Sequence, residues 1–550
     1  MSKKRKNRPR RRRPGPAKAS STEPIDISKS ELEAIVERAK GALSDKEYEI
    51  LQAVIKTLSF LTQELGKKRV SIKRLKQLLF GAPTETLRKV FGEAAKQHQS
   101  GKQQADKPAK DKPAGHGRNG ADKYTGAEKV QVPHQTLRPG QKCPDCGKGT
   151  VYEAPPAQIV RVSGQAPLNA KVYQLQKLRC NLCGKVFTAA APEHVGEKKY
   201  DAESAAMIAL LKYGSGLPFN RLQRLQGNLG IPLPAATQWD ILADCIASFD
   251  PAYEQMIRTA AEGRVIHNDD TAMKVLELAK DQTQDEEENG RKGVFTSGIV
   301  SVSEGHRIAL FFTGNKHAGE NLADVLKHRA SRLAAPIHMC DALSRNTSPD
   351  FEAILANCLA HGRRRFTDVS DAFPAECLYV LELLAKVYKN DQITRQDKLS
   401  DQDRLVYHQM HSKPLMDELK QWMTQQLDQK LTEPNSSLGE AIRYMLKHWQ
   451  KLTLFLRQPG APLDNNVCER ALKKAILHRK NSYFYKTTNG ARVGDLFMSL
   501  IHTCELNGVN AFDYLTHLQK HAAAVASSPA DWMPWNWRQA LAQSQVPQES

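Results

Sequence analysis

The chain reads RVIHNDDT at 264–271, APIHMCDALSRN at 335–346 and LDNNVCERALKKAILHRKN at 463–481. The first two are short apolar runs that deliver an aspartate, the pattern of a strand carrying a carboxylate to the end of a sheet. The third opens a helix, with Asp464 as the expected N-cap. Along it Glu469, Leu472 and Ile476 recur at i, i+3 and i+7. That phase puts the carboxylate beside the apolar stripe facing the sheet. Asp269, Asp341 and Glu469 are thus candidates for one site. Converging carboxylates repel unless cations neutralise them, and Mg²⁺ suits, being hard and oxygen-seeking, with Mn²⁺ as a substitute. Two such ions would serve phosphoryl transfer by activating the attacking oxygen and stabilising the leaving one. Asp270 and Asp464 are rival carboxylates, and any one of these acids alone reads better as a cap or ion-pair partner than as a catalytic group.

Further short β runs lie at VFTSGIVSVS (294–303), RIALFFTG (307–314) and ILANCLAH (354–361), with a helix expected over NLADVLKHRASRL (321–333). From there to about 457 the pattern is helical. Three strands, a fourth, a fifth and then helices fit an α/β sheet of ribonuclease-H type at 263–485, with a long helical insertion at about 370–460. A C-terminal helical region follows at 486–550. The fold class expected is multidomain α+β.

A chain of 550 residues is too long for one core and implies three or more domains. Its formal net charge is +20 and its pI about 9.4, which favours a polyanionic partner, nucleic acid first. Residues 1–14, MSKKRKNRPRRRRP, carry nine basic side chains and no acid. Residues 1–30 therefore read as a disordered basic tail. A helical head occupies 31–97. Ser44 and Glu47 make a capping box for a helix over 44–65, in which Leu51, Val54, Leu58, Leu61 and Leu65 form a short a/d seam. A self-packed hairpin and a dimerising coiled coil fit that seam equally. Residues 98–126 are a Lys-, Gly- and Pro-rich linker.

Cys143, Cys146, Cys180 and Cys183 form two CxxC pairs separated by strand-like sequence, in a module spanning 127–195. Four thiolates in a tetrahedron suit structural Zn²⁺ and leave no open position for catalysis. The other six cysteines sit among apolar neighbours and read as reduced core thiols. Residues 196–262 are helical, with a turn at Gly230, the outline of a helix-turn-helix or an ordinary helical hairpin. No apolar run is long enough to cross a bilayer and no signal-peptide core follows the basic start, so a cytoplasmic protein is expected.

The strings NDDT (268–271), CD (340–341), AHGRRRF (360–366), DNNVCERALKKAILHRKN (464–481) and SLIHTCELNGVNAFDYL (499–515) follow one another in this order. Together they resemble the insertion-sequence-66 transposases, the large transposase C protein of such bacterial elements. RLKQLLFG (74–81) looks like that family's leucine-zipper-like head, and the CxxC pairs look like its zinc-binding domain. The resemblance covers roughly 45–520. It implies a DDE domain that uses Mg²⁺ to cut element ends and join them to target DNA. By position it selects Asp269, Asp341 and Glu469 as the triad and Asp269 over Asp270. It also implies double-stranded DNA as partner, a homo-oligomer, accessory proteins of the same element, and a place at the bacterial nucleoid. Arg470, Lys473, Lys474, Arg479 and Lys480 would hold phosphates near the site. Asp270 stands where the family has Glu, DALSRN lacks its tyrosines, Lys474 replaces a common Pro, and His478 a common Gly. A DNA-binding regulator descended from a transposase and a nuclease without strand transfer are the rival functions.

Overall fold

The computed structural model describes residues 29–42, 44–49, 51–52, 136–146, 148–152, 167–179, 186–190, 192, 198–281, 293–303 and 305–544. Residues 1–28 of the basic tail, most of the heptad seam, the linker, Cys180 and Cys183 lie outside the described residues, and Lys29 and Ser30 already belong to a helix, Lys29–Ala39. At the head, the Ser44 backbone N–H donates to Glu47 at 2.9 Å, the glutamate half of the expected box. The serine hydroxyl also donates to that carboxylate, at 2.6 Å.

Five strands form one mixed sheet: β1 (Val265–Ala272), β2 (Phe295–Ser303), β3 (His306–Gly314), β4 (Ile337–Cys340) and β5 (Ile354–Asn357). Their order is β3-β2-β1-β4-β5. β2 runs antiparallel to both β1 and β3, whereas β4 runs parallel to both β1 and β5. Two expectations shift. β5 stops at Asn357, and the rest of ILANCLAH starts a helix at Leu359. The helix expected over 321–333 instead spans Ala318–Leu326, because the His317 backbone N–H donates to Glu320 and starts it earlier. Beyond Leu326 the chain turns so that Arg329 can donate to the carbonyls of Ala261 and Gly263, at 2.6 and 2.8 Å.

Ahead of the sheet come α1 (Ala202–Ala209), α2 (Phe219–Asn228) and α3 (Ala235–Ala261). Gly230, with φ +75°, turns the chain between α2 and α3. The 27-residue α3 is amphipathic, and its inward row includes Leu242, Phe249 and Met256. Then α4 (Ala318–Leu326) connects β3 to β4. After β5 follow α5 (Leu359–Val369), α6 (Pro374–Gln396), α7 (Asp401–His411), α8 (Lys413–Asp428) and α9 (Ser437–Lys447). The chain returns to the sheet as α10 (Asn466–Ser482) and α11 (Thr488–Leu506). Two hydrophobic cores result. One joins Ile266, Ile299 and Phe311 to α3, α10 and α11. The other joins Val265, Ile337, Met339 and Ala356 to α5, α6, α8 and α9. No helix among the described residues is long and apolar enough to cross a membrane.

The edge strand β3 is closed by side chains rather than by another strand. Asn507, Thr503, Ser499 and Asp495 recur every four residues on and just after α11. They accept from the backbone N–H groups of Arg307, Ala309, Phe311 and Thr313 at 3.1, 3.0, 3.0 and 2.6 Å. A helical row thus replaces the missing strand partner, which covers an edge otherwise open to aggregation. Part of SLIHTCELNG is therefore a structural ladder. Thr503→Val keeps shape but leaves the buried Ala309 N–H unmet, so urea unfolding should show a loss of about 1–3 kcal/mol.

Candidate active site

Asp269 lies on β1, the central strand, opposite Gly298 of β2. Side chains alternate along a strand, so Asp269 shares a side with His267, and Asp270 shares the other with Asn268. Asp270 is almost fully buried and is held by His317 at 2.9 Å and Arg345 at 3.3 Å. Among the described residues Asp269 has no such cation. Its carboxylate accepts from the Asp270 N–H at 2.8 Å, and burial together with nearby Asp341 pushes its carboxyl up to about 7.

Asp341 directly follows β4, which is parallel to β1. Asn346 joins the two aspartates: its amide donates to Asp269 at 3.4 Å and, more closely, to Asp341. The Leu343 N–H adds a bond to Asp341 at 3.1 Å. DALSRN thus forms a tight return from β4, and its last residue serves both carboxylates.

Glu469 arrives on α10. That helix starts at Asn466, so Asn465 holds the cap position rather than Asp464, although Asp464 still accepts from the Asn466 N–H at 3.1 Å. The inward row is also shifted from the expected one. Cys468, Ala471, Leu472, Ala475 and His478 are buried, and Ile476 only half so. Small residues at 468, 471 and 475 let the helix sit close to the sheet. The Cys468 thiol donates to the Gly298 carbonyl at 3.2 Å, and a Cβ on Gly298 would stand 2.9 Å from Leu472. Glu469 thus follows directly on Cys468, the residue that rests on Asp269's partner Gly298.

Beneath the carboxylates lies a buried polar network that sequence reasoning missed. Asn465 donates to the Asn268 carbonyl at 2.9 Å and accepts from the His267 ring at 3.0 Å. The His338 ring donates to the Asn268 side chain at 2.8 Å, whose amide donates to the Asn346 carbonyl at 2.9 Å. Burial lowers both histidines to about 4, so they act as neutral donors at physiological pH. The one signal in the sequence was polar residues inside apolar strand runs.

The β5–α5 junction adds a further group. The Asn357 amide donates to the Asp341 carbonyl at 3.4 Å. His361 and Arg364, in AHGRRRF, each stand 3.8 Å from one oxygen of Glu469. Potential ligand atoms of Cys358, His361 and Glu469 fall within 4.8 Å of one another. Burial drives the Cys358 thiol up to about 12, and it accepts from the Asn465 N–H, so it is a poor thiolate donor. Glu469 retains one buried oxygen without a hydrogen bond among the described residues.

The basic residues of α10 divide. Arg470, Lys473 and Lys480 are exposed. Lys474 pairs with Glu505 at 2.8 Å, and Arg479 donates to Thr271 and to the Ala272 carbonyl at the end of β1. Far from these in sequence, Cys143 and Cys146 lie on a turn closed by a Lys142–Thr150 bridge. Strands Lys177–Arg179 and Val186–Thr188 pair antiparallel on either side of the Cys180–Cys183 segment.

A model of the Transposase IS66 family matches residues 198–493, more than half of the chain and a span containing all three carboxylates. The chain belongs to that family. It is also similar to two proteins of Sinorhizobium fredii (strain NBRC 101917 / NGR234). Uncharacterized protein y4hP is 25% identical over 427 residues, covering 74% of this chain and 75% of that protein. Uncharacterized protein y4jD is 26% identical over 355 residues, covering 61% and 65%. No solved structure matches. Membership in the IS66 transposase family makes DNA the expected partner.

The approach of α10 at Gly298 is testable. Gly298→Ala forces Leu472 aside and should cost about 1–2 kcal/mol in urea unfolding. Combined with Leu472→Ala, the same change should cost nothing further, because the neighbour it meets is gone.

Proposed function

We propose that this chain is a DDE transposase that cuts the ends of a bacterial insertion sequence and joins their 3′-hydroxyls to target DNA. Asp269, Asp341 and Glu469 are the triad. The observation that carries this reading is the shared Asn346 between two aspartates, with Glu469 next along α10 from the Cys468 that rests on the residue paired with Asp269. The strand order and directions support a ribonuclease-H-like domain with α6–α9 as its helical insertion.

The donor set fits hard divalent ions. It is rich in carboxylate oxygen, Glu469 has an unmet buried oxygen, and Asp269 is raised by burial and by its neighbour's charge. Asp269, Asp341 and Glu469 would hold two Mg²⁺, or Mn²⁺. Such ions supply positive charge at the attacking and leaving oxygens of a phosphodiester. The chain's own task is orientation. Asn346 fixes the two aspartates relative to each other, and His361 and Arg364 bracket Glu469. Arg470, Lys473 and Lys480 meet phosphates, a contact that weakens steeply with salt. Lys474 and Arg479, tied to Glu505 and β1, shape that surface from behind. Attack by water at an element-end phosphodiester breaks its P–O3′ bond and leaves a 3′-hydroxyl and a 5′-phosphate; attack by that hydroxyl on a phosphodiester of a second duplex forms the new P–O bond and releases the target strand's own 3′-hydroxyl.

Cys143, Cys146, Cys180 and Cys183 would hold one structural Zn²⁺ in a ribbon-like module ahead of the catalytic domain. The working form is a homo-oligomer on DNA at the nucleoid, assisted by proteins of the same element.

Precut element ends and a target plasmid test the reading. Asp269→Asn, Asp341→Asn and Glu469→Gln should each reduce Mg²⁺-dependent joining by about a thousandfold or more while DNA binding persists. Cutting without joining would identify a nuclease, and neither activity would identify a regulator. Joining that survives Asp341→Asn sinks the triad. Elemental analysis should find about one zinc per chain, lost in Cys180→Ser. Zinc retained by a chain lacking all four cysteines excludes the module.

A further inference from the structure

The segment after α1, the start of α2 and the chain around the end of α10 enclose a cleft of about 440 Å³. Its walls are flat: Tyr213, Phe219, Trp239, Phe484 and Tyr485. Lys486 and Thr487 also line it, and two of its polar groups, Lys212 and His478, are oddly placed. Lys212 is buried, donates to the Ser482 hydroxyl at 2.8 Å and has no carboxylate partner among the described residues. Its ammonium sits 4.9 Å from the Phe219 ring centre, and burial lowers it to about 8. His478 is 1% exposed, and neither ring nitrogen has a hydrogen-bond partner among the described residues. The ring is fixed in a stack, 4.6 Å from Tyr485 and 6.0 Å from Tyr213.

A buried ammonium without an anion and an imidazole with two open nitrogens are costly unless a ligand satisfies them. The aromatic rings on its walls favour a planar group with ring nitrogens and carbonyl oxygens. Phe484, 42% exposed at the mouth, offers a further face for stacking.

We propose that this cleft receives a nucleobase drawn out of a DNA strand, between the aromatic walls and against Lys212 and His478. The inference rests on DNA being the substrate. The geometry of α10 links it to the carboxylate site. Glu469 and His478 are nine residues apart, about half a turn around the helix. Exposed Arg470 and Lys473 occupy the outer face between them. A strand lying over that basic face has the carboxylates on one flank and the cleft on the other. Extruding a base costs unpairing and unstacking, which stacking and hydrogen bonding in the cleft offset.

The test is a single-stranded oligonucleotide bearing 5-iodouracil, irradiated with the full chain, with adducts mapped by mass spectrometry. Adducts are expected at Trp239, Phe484 or Tyr485. Phe484→Ala removes a largely exposed ring and should weaken binding of an unmodified strand about tenfold. Binding of an abasic strand should not change. No binding of the strand, adducts confined to the outer face of α10, or equal weakening of both strands overturns the proposal. The Asp341→Asn chain should crosslink like the native one, so this readout is independent of cutting. A chain that joins DNA yet gives no adduct in the cleft refutes the cleft alone, and cleft adducts on a chain that never joins refute the transposase reading alone.

Discussion

The distance between α10 and β2 governs everything at the carboxylate site. Gly298 has no side chain, so Leu472 and Cys468 can rest directly on the strand. That contact sets the height of the helix, and the helix sets where Glu469 stands. Asp269 lies across the β1–β2 ladder from the same glycine. A side chain at 298 would therefore separate Glu469 from Asp269 without touching either. Close packing makes interiors transmit such shifts rather than absorb them.

Two polar devices hold the helix and sheet in that arrangement. The network of His267, Asn268, His338, Asn346 and Asn465 ties α10, β1, β4 and the loop after β4 together beneath the site. Every link is a neutral hydrogen bond, so it fixes position without adding charge below the carboxylates. The ladder from α11 to β3 does the same at the sheet edge. Fully met, such buried networks specify one arrangement, and half met they become a liability. The helices of the insertion contribute through a separate core, within which Asp391 receives Arg404 at 2.6 Å.

The strands were legible in the sequence because each is a short apolar run ending in a polar residue. Their order across the sheet came only with the fold. The capping of α10, its inward row and the length of α4 were misjudged, because each depends on a distant contact. The start of α10 answers to the Asn465 bonds on β1, and α4 ends where Arg329 is drawn to the end of α3. Periodicity favours large apolar residues such as Ile476, yet the true inward row is built of Cys, Ala and His. Close approach to a sheet selects small side chains, a demand the helix alone does not display.

By itself the sequence determined the carriers: three acids in distinctive surrounds, the CxxC pairs, a basic chain, and the motifs that resemble the IS66 transposases. Their identity is local and written in residue order. Only the tertiary structure decided the partners. It gave Asp270 to His317 and Arg345, left Asp269 and Asp341 to share Asn346, and set Glu469 between His361 and Arg364. Among the described residues it also left Lys212 without a carboxylate and the His478 ring without a hydrogen bond beside an aromatic cleft. Apart from Asp341 and Asn346, those partners lie tens to hundreds of residues apart in sequence, and only the closing of a sheet and its helices brings such groups within bonding distance.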